Sequence, residues 1–347
     1  MSTDSHYIAE SSQSKRSNPL TIIYGTRPEY LKLLPLINYM DCNVIRILQH
    51  EHLDESDLKY TSILKIEGTA GSRLDLVGSQ ILEKLGPMIS GFQKIIVQGD
   101  TATTFYATLC AFQNRIQVVH LEAGLRTYDL ENPYPEEGYR QMISRIATIH
   151  LVPHEHNKTI LQEEKVSGEI FVVGNTILDL VKSYNLTVSQ GNTILITFHR
   201  RENIQYLSDF IHNLKECIYA NPSKRFLWFL HPNPELQRLV REKTEGMSIE
   251  FVMPIAHRGF LDYLKDCFCV FTDSGGIQEE AAFLGKPTIV LRKFTERDQI
   301  PPPYLQLVSP PYNTLAAAAC RIDSDKLPPC YVYGTGESAH SISSYLT

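Results

Sequence analysis

The chain has 347 residues, of which 43% are hydrophobic and 21% are charged. A chain of this size can bury a sizeable core, and its length favours two domains over one. The formal net charge of −6 argues against a nucleic-acid-binding surface, although a few local arginines could still hold a small anion.

The seven cysteines are odd in number, lie mostly in apolar runs and include no C-x-x-C pair. This pattern predicts reduced, structural thiols in a cytosolic compartment. No stretch reaches the roughly 18 consecutive apolar residues of a membrane span, and the N-terminus lacks an apolar signal segment. We therefore expect a cytoplasmic protein with no metal ion and no membrane partner.

The chain alternates short β-branched runs with longer amphipathic ones, after a polar, serine-rich segment at 1–18 that predicts a disordered tail. In the first half, strands are predicted at 20–24, 44–48, 95–97, 118–121, 149–152 and 170–173, and helices near 28–40, 74–92, 102–113, 136–147 and 155–166. After a polar stretch near 183–192, strands are predicted near 194–197, 226–230, 249–252, 268–272 and 288–291.

Strands that alternate with helices predict a parallel sheet covered on both faces. The expected fold is α/β, with two Rossmann-like, doubly wound domains at 19–186 and 187–335 and a C-terminal helix at 336–347 that packs back on the first domain. Ligands of such folds bind beyond the carboxyl ends of the strands. Site residues should therefore lie at strand-to-helix junctions and face a shared cleft.

The segment 268–287 reads as strand, tight turn, helix and stop. Asp273 or Ser274 can cap the helix, because both side chains accept hydrogen bonds from its first N–H groups. Gly275 and Gly276 have no side chains, so several backbone N–H groups stay open to an approaching anion. This is the local geometry of a phosphate-binding turn, and of many simple capped helices as well.

Other junctions of the second half are rich in hydrogen-bond donors. His-Arg-Arg at 199–201 follows its first strand, His231 follows the second, and His257 begins a helix after the third. Each histidine alone would more often be structural, but together with the glycine turn they favour a nucleotide-diphosphate site. Glu279 and Glu280 are expected in the first helical turn, where they could bind ribose hydroxyls.

Two junctions of the first half carry positive and capping groups. After the first strand, Thr26 and Glu29 have capping-box spacing. Arg27 suits a phosphate better than it suits the positive end of a helix dipole, and Lys32 could add a second positive group. After the third predicted strand, Asp100 stands at a natural helix-cap position, for which a purely structural role is the simpler reading.

Carboxylates follow the next two junctions. Glu122 and Arg126 come directly after the fourth predicted strand, where capping does not readily explain them. A proline-bracketed loop then presents Glu136 and Glu137 at a helix start. Three carboxylates from successive junctions, Asp100, Glu122 and Glu136, are therefore expected at one edge of the cleft.

Together these residues resemble the UDP-N-acetylglucosamine 2-epimerases. The matching motifs occur in family order over about 20–340, which is nearly the whole chain after the tail. They are Gly-Thr-Arg-Pro-Glu at 25–29 with Lys32, Gly-Asp-Thr at 99–101, His-Leu-Glu-Ala-Gly-Leu-Arg-Thr at 120–127, Pro-Glu-Glu at 135–137 with Arg140, Gly-Asn-Thr at 174–176, His-Arg-Arg-Glu at 199–202, Asp-Ser-Gly-Gly-Ile-Gln-Glu-Glu at 273–280, Leu-Gly-Lys-Pro at 284–287 and Thr-Glu-Arg at 295–297.

The resemblance implies a glycosyltransferase-B arrangement of two Rossmann-like domains, with UDP held mainly by the second, and commonly a homodimer. It also implies chemistry without a redox cofactor. UDP is eliminated across C1 and C2 of the sugar to give a 2-acetamidoglucal, and is re-added after a proton returns to the other face of C2.

The resemblance also assigns roles. Asp100, Glu122 and Glu136 supply acid and base groups together with His199, and which carboxylate removes the C2 proton stays open. The UDP-sugar is bound by Arg27, Lys32, Arg140, His199, Arg200, Ser274, Gly275, Gly276, Glu280 and Arg297. Many family members have a second, activating UDP-sugar site, for which Gln49, His52 and His231 are the candidates here.

Several segments depart from the family pattern. The loop at 49–53 reads Gln-His-Glu-His-Leu, with an acid and a histidine where the family often has arginine and an amide. Thr-Glu-Arg-Asp-Gln at 295–299 and Pro-Pro-Pro-Tyr at 301–304 also differ, which leaves room for another UDP-N-acetylhexosamine, such as a 6-deoxy sugar, or for a hydrolysing epimerase. Two alternative functions lie outside the epimerase class: a glycosyltransferase and a non-catalytic UDP-sugar-binding protein.

Overall fold

Two parallel β-sheets organise the computed structural model, which describes residues 20–48, 58–68, 73–323 and 327–346. The first sheet has the strand order β3-β2-β1-β4-β5-β6-β7. Its strands are β1 (Leu20–Tyr24), β2 (Asn43–Leu48), β3 (Ser62–Lys65), β4 (Lys94–Gln98), β5 (Gln117–Leu121), β6 (Ile149–Val152) and β7 (Glu169–Val172).

The second sheet has the order β10-β9-β8-β11-β12-β13. Its strands are β8 (Thr193–Thr197), β9 (Arg225–Phe229), β10 (Glu250–Val252), β11 (Cys269–Thr272), β12 (Thr288–Val290) and β13 (Leu305–Leu307). All pairings among the described strands of both sheets are parallel, which confirms the predicted α/β fold.

Helices alternate with these strands along the chain. The first half contains α1 (Arg27–Tyr39), α2 (Arg73–Ile89), α3 (Ala102–Gln113), α4 (Glu136–Ile146), α5 (Glu155–Glu163) and α6 (Ile177–Ser183). The second half contains α7 (Arg201–Ile204), α8 (Leu207–Ala220), α9 (Pro234–Lys243), α10 (His257–Leu264), α11 (Gly275–Phe283), α12 (Leu315–Cys320) and α13 (Ser338–Leu346). None of the helices in the described ranges is long and apolar enough to cross a membrane.

Successive residues of the central strands enter different apolar clusters, which explains their unbroken hydrophobic sequences. In β1, Ile22 packs in one buried cluster and Ile23 in another on the opposite face. In β11, Phe271 and Val270 divide in the same way. Helices on both faces of each sheet therefore bury nearly every side chain of these strands.

Two short edge strands, β3 and β13, were not predicted from the sequence. The β3 strand is largely exposed, and β13 has only three residues and follows a proline-rich turn. Such segments carry little periodic signal, and their pairing with a neighbouring strand makes them strands.

Apolar contacts join the two halves. Leu178 of α6 and Ala282 of α11 share one buried cluster, against which Leu31 and Leu34 of α1 pack. The C-terminal helix α13 buries Ile342 in the core beside the first sheet. The exact domain limits stay a prediction, and the predicted tail at 1–18 lies outside the described residues.

Candidate active site

The strand order of each sheet reverses between two neighbouring strands, β1 and β4 in the first sheet and β8 and β11 in the second. Ligands of doubly wound sheets bind in the crevice at such switch points. Arg27 follows β1 and Asp100 follows β4, while His199 follows β8 and Ser274 follows β11. Four predicted site residues therefore lie at the two switch points.

The junction after β1 contains the predicted capping box. The Thr26 hydroxyl accepts a bond from the Glu29 N–H, and a Glu29 carboxylate oxygen accepts one from the Thr26 N–H at 2.6 Å. The same carboxylate also accepts bonds from Thr101 and Thr104 at the start of α3. Glu29 thus connects the start of α1 to the start of α3. Arg27, which is half-buried, is the first residue of α1.

Glu122 is the most heavily bonded of the three candidate carboxylates. Its Oε2 accepts from Lys32 Nζ at 2.5 Å and from Gln98 Nε2, and its Oε1 accepts from Arg297 Nη2 at 2.8 Å. Its backbone φ is +64°. Residues other than glycine seldom adopt such a positive φ, and those that do recur at functional sites. Two positive groups, one from each half of the chain, therefore form ion pairs with Glu122.

Asp100 pairs with Arg140 and does not cap a helix, so the capping prediction is wrong. Thr101 caps α3 instead, and Asp100 Oδ2 lies 2.7 Å from Arg140 Nε. Burial raises the pKa of Asp100, but the charges of Arg140 and Lys32 outweigh burial and bring the pKa below its ordinary value. Asp100 is therefore a carboxylate at neutral pH.

Glu136 is the first residue of α4, as predicted from the proline-bracketed loop. Burial and then the charge of Asp100 raise its pKa, while Arg200 and Arg140 oppose the rise. Asp100 and Glu136 thus have environments that drive their pKa values in opposite directions, as in pairs that divide acid and base roles.

Asp273 organises the second-half junctions. Its carboxylate accepts bonds from the His199 N–H at 3.0 Å, the Arg200 N–H at 2.9 Å and Asn203 Nδ2 at 3.1 Å. Ser274 is the residue that precedes α11, and its side chain makes no capping bond there. Asp273 thus connects the His-Arg turn after β8 to the glycine turn after β11.

The His199 ring lies at this connection. Its pKa is lowered by burial, which Asp273 opposes and His231 reinforces. The two imidazole centroids are 5.6 Å apart, and among the described residues His199 Nδ1 has no hydrogen-bond partner. His199 is therefore a neutral donor or acceptor near the glycine turn. Gln49 and His52, the other candidates for a second site, lie outside the described residues.

The glycines at the start of α11 differ in their surroundings. A Cβ on Gly275 would stand 2.9 Å from the guanidinium carbon of Arg297, whereas a Cβ on Gly276 would have no atom within 4 Å from any described residue outside its own turn of helix. Gly275 is thus required for close packing of Arg297. Gly276 leaves open space over the first N–H groups of the helix, as an approaching anion needs.

The prediction that Glu279 and Glu280 occupy the first helical turn is wrong. Because α11 begins at Gly275, both belong to its second turn, and both are buried. Glu280 Oε1 lies 2.9 Å from His257 Nε2, and Glu279 Oε1 accepts from Arg297 Nε at 2.9 Å. Glu280 is thus paired before any ligand arrives, and Glu279 belongs to the arginine network.

Sequence reasoning missed a buried ion network from the loop after β12. Glu296 contacts Arg292, Arg297 and, across the cleft, Arg140. Arg140 also contacts Glu137 at 3.3 Å. The Thr-Glu-Arg motif was the available signal, but it pointed to Arg297 alone because contacts between distant segments are not legible in sequence.

The fold and this cleft define an α/β protein of glycosyltransferase-B-like architecture. The family model of UDP-N-acetylglucosamine 2-epimerase matches residues 52–347. The chain is similar to the UDP-N-acetylglucosamine 2-epimerase of Salmonella borreze, with 33% identity over 315 residues that cover 80% of this chain and 82% of the relative.

Solved structures agree. The Neisseria meningitidis UDP-GlcNAc 2-epimerase bound to UDP-GlcNAc matches with a TM-score of 0.84 and 28% identity, over 94% of this chain and 99% of that chain. The Methanocaldococcus jannaschii enzyme in complex with UDP-GlcNAc and UDP matches with a TM-score of 0.77 and 28% identity, over the same shares. The chain belongs to the UDP-N-acetylglucosamine 2-epimerase family, which confirms the resemblance.

Proposed function

We propose that the chain interconverts UDP-N-acetylglucosamine and UDP-N-acetylmannosamine. The observation that carries this proposal is the opposition, across one cleft, of three acidic side chains and the open N-terminus of α11. Acyl or glycosyl transfer does not require three carboxylates around the sugar, whereas moving a proton between the two faces of C2 requires groups on both faces.

In the proposed reaction a base takes the C2 proton, the C1–O bond breaks, and UDP leaves with the bonding electrons as a C1=C2 double bond forms. A proton then returns to the opposite face of C2, and the UDP oxygen adds again at C1. The C2 hydrogen is weakly acidic, so both the base and stabilisation of the leaving diphosphate are needed.

We assign the base to Asp100 and an acid to Glu136. The lowered pKa of Asp100 keeps it ionised, and the raised pKa of Glu136 favours its protonated form. Glu122, which already accepts three bonds, stabilises positive charge near the sugar and orients Lys32 and Arg297. This assignment follows the opposite environments of the two groups.

The diphosphate would bind at the start of α11, where Ser274, Gly275 and Gly276 offer backbone N–H groups. His199 lies at the junction after β8, the strand that pairs with β11, and Arg200 follows it. Arg27, at the junction after β1 of the first sheet, would add a positive charge from the other half of the chain. Glu280 would bind the ribose once its contact with His257 is shared with or replaced by a hydroxyl.

Incubation with UDP-GlcNAc in D₂O tests the proposal. NMR should show deuterium entering C2 and a new anomeric signal from UDP-ManNAc, and Asp100→Asn should abolish both. Release of UDP and free N-acetylmannosamine would identify a hydrolysing epimerase. If neither deuterium exchange nor a new anomeric signal is seen, the proposal fails for this substrate. A 6-deoxy UDP-N-acetylhexosamine would then be the next candidate.

The same assay separates the other classes. A glycosyltransferase would release UDP only when an acceptor is added, and a binding protein would hold UDP with no turnover in the wild type or in Glu122→Gln. We further propose a homodimer in a reducing compartment. The seven cysteines are free thiols, four of them buried, which suits such a compartment. Light scattering on the purified protein tests the dimer.

A further inference from the structure

Glu296 lies at the centre of the buried ion network between the two sheets. Its Oε2 accepts from Arg292 Nη1 at 2.9 Å and from Arg297 Nη1 at 3.4 Å. Its Oε1 accepts from Arg140 Nη2 at 3.2 Å and from Arg292 Nη2 at 3.3 Å. The Glu296 side chain is fully buried. One carboxylate therefore contacts three guanidinium groups.

Two of these arginines reach the candidate catalytic carboxylates. Arg140 extends from Glu296 to Asp100, at 2.7 Å, and Arg297 extends from Glu296 to Glu122, at 2.8 Å. Arg140 belongs to the first half of the chain and Glu296 to the second. Both carboxylates are thus connected to the same residue of the opposite half through a single arginine each.

We propose that Glu296 is a positioning residue that orients Arg140 and Arg297 toward Asp100 and Glu122 and so sets the geometry of both carboxylates when the two halves meet. This inference rests on the proposed epimerase function. Glu296 would touch neither the sugar nor the diphosphate itself.

The chemistry of the cluster supports this role. Three buried arginines repel one another, and without a central anion their guanidinium groups would separate. Burial raises the pKa of Glu296, but Arg292, Arg297 and Arg140 together hold it well below its ordinary value. Glu296 is therefore a permanent anion, which suits a counter-ion and does not suit a proton-transferring group.

Glu296→Gln and Glu296→Asp test the proposal, with Glu250→Gln as the matched control because Glu250 pairs with Arg225 on the exposed surface of the second half. We expect Glu296→Gln to lower kcat by about 10- to 100-fold, as misplaced catalytic groups do, with KM and UDP affinity changed less than about threefold. Glu296→Asp, which keeps the charge, should recover part of kcat. Glu250→Gln should match the wild type.

A second measurement does not depend on turnover. In a double-mutant cycle on Tm, Glu296→Gln and Arg140→Gln together should lower Tm by clearly less than the sum of the single shifts, because each removes the same contact. Additive shifts, or a Glu296→Gln variant with unchanged kcat, would overturn the inference. If the wild type does not epimerise UDP-GlcNAc, the proposed function fails, and the cycle still decides whether Glu296 holds Arg140.

Discussion

Arg297 Nη2 donates a hydrogen bond to Glu122 Oε1 at 2.8 Å, which joins the loop after β12 to the end of β5 in the other sheet. Arg297 is thus a contact between the halves as well as a candidate ligand for the substrate. Its Nε also donates to Glu279 at 2.9 Å, so two buried carboxylates depend on one guanidinium.

Arg297→Ala should therefore impair both folding and activity. It leaves Glu122 and Glu279 buried without their shared cation, and loss of one partner from a buried pair costs about 3–5 kcal/mol of unfolding free energy. We expect kcat to fall by about 100-fold or more, as when one preorganised donor is removed. Urea denaturation and the NMR assay measure the two effects. Arg225→Ala, at an exposed pair, is the control and should change neither; equal losses there would contradict the argument.

The two glycines at the start of α11 should respond differently to alanine. Gly275→Ala puts a methyl group against the buried Arg297 guanidinium, so it should lower kcat about tenfold or more through displaced ion pairs. The methyl group of Gly276→Ala has no atom within 4 Å from the described residues beyond its own turn of helix, so this variant should keep the wild-type Tm. It should nevertheless weaken UDP binding, because the methyl group enters the space over the helix N–H groups. Calorimetric titration with UDP and a thermal melt separate the two. Tight UDP binding by Gly276→Ala would exclude this turn as the diphosphate site.

The pH dependence of kcat should report the Asp100–Arg140 pair. Arg140 favours the ionised form of Asp100, so weakening that contact in Arg140→Lys raises the pKa of Asp100. The acid limb of the pH profile should then move to higher pH by several tenths of a unit. Arg145→Lys, at an exposed position in the last turn of the same helix, should leave the limb in place. An unmoved limb in Arg140→Lys would mean that Asp100 is not the base.

Two buried histidines should make the fold sensitive to acid. Burial lowers the pKa of His120 to about 3, against about 6.5 in an unfolded chain, and burial also lowers the pKa of the neighbouring His150. Below pH 6.5 the unfolded state binds a proton at His120 that the folded state does not, so stability is fully present above pH 6.5 and is lost as pH falls toward 3. The slope is about 1.4 kcal/mol per pH unit for one such group.

His120→Gln tests this linkage. Between pH 7 and pH 5, the wild type should lose about 2 kcal/mol more unfolding free energy than the variant, because glutamine does not titrate. His212→Gln, on the exposed surface of α8, should retain the wild-type slope. Parallel curves for His120→Gln and the wild type would show that His120 is protonated in the folded protein.

Most of the fold could be predicted from the amino-acid sequence. The capping box at Thr26 and Glu29, the buried strand before Asp273 and the glycine turn carry local signals, because their hydrogen bonds form within a few residues. The same locality explains the errors. Asp100 looked like a helix cap because its distant partner Arg140 was invisible, and the turn assignment of Glu280 depended on whether α11 begins at residue 275 or later.

The order of elements, the parallel α/β class and the chemical groups at each junction are properties of the sequence pattern, since they depend on period, composition and neighbours along the chain. The tertiary structure decides which of those groups contact each other. Glu122 with Arg297, and Glu296 with Arg140, are more than 150 residues apart along the chain in each case. Only the packing of one half of the chain against the other, through helices such as α1, α6 and α11, brings their charges within hydrogen-bond distance and makes one cleft from separate junctions.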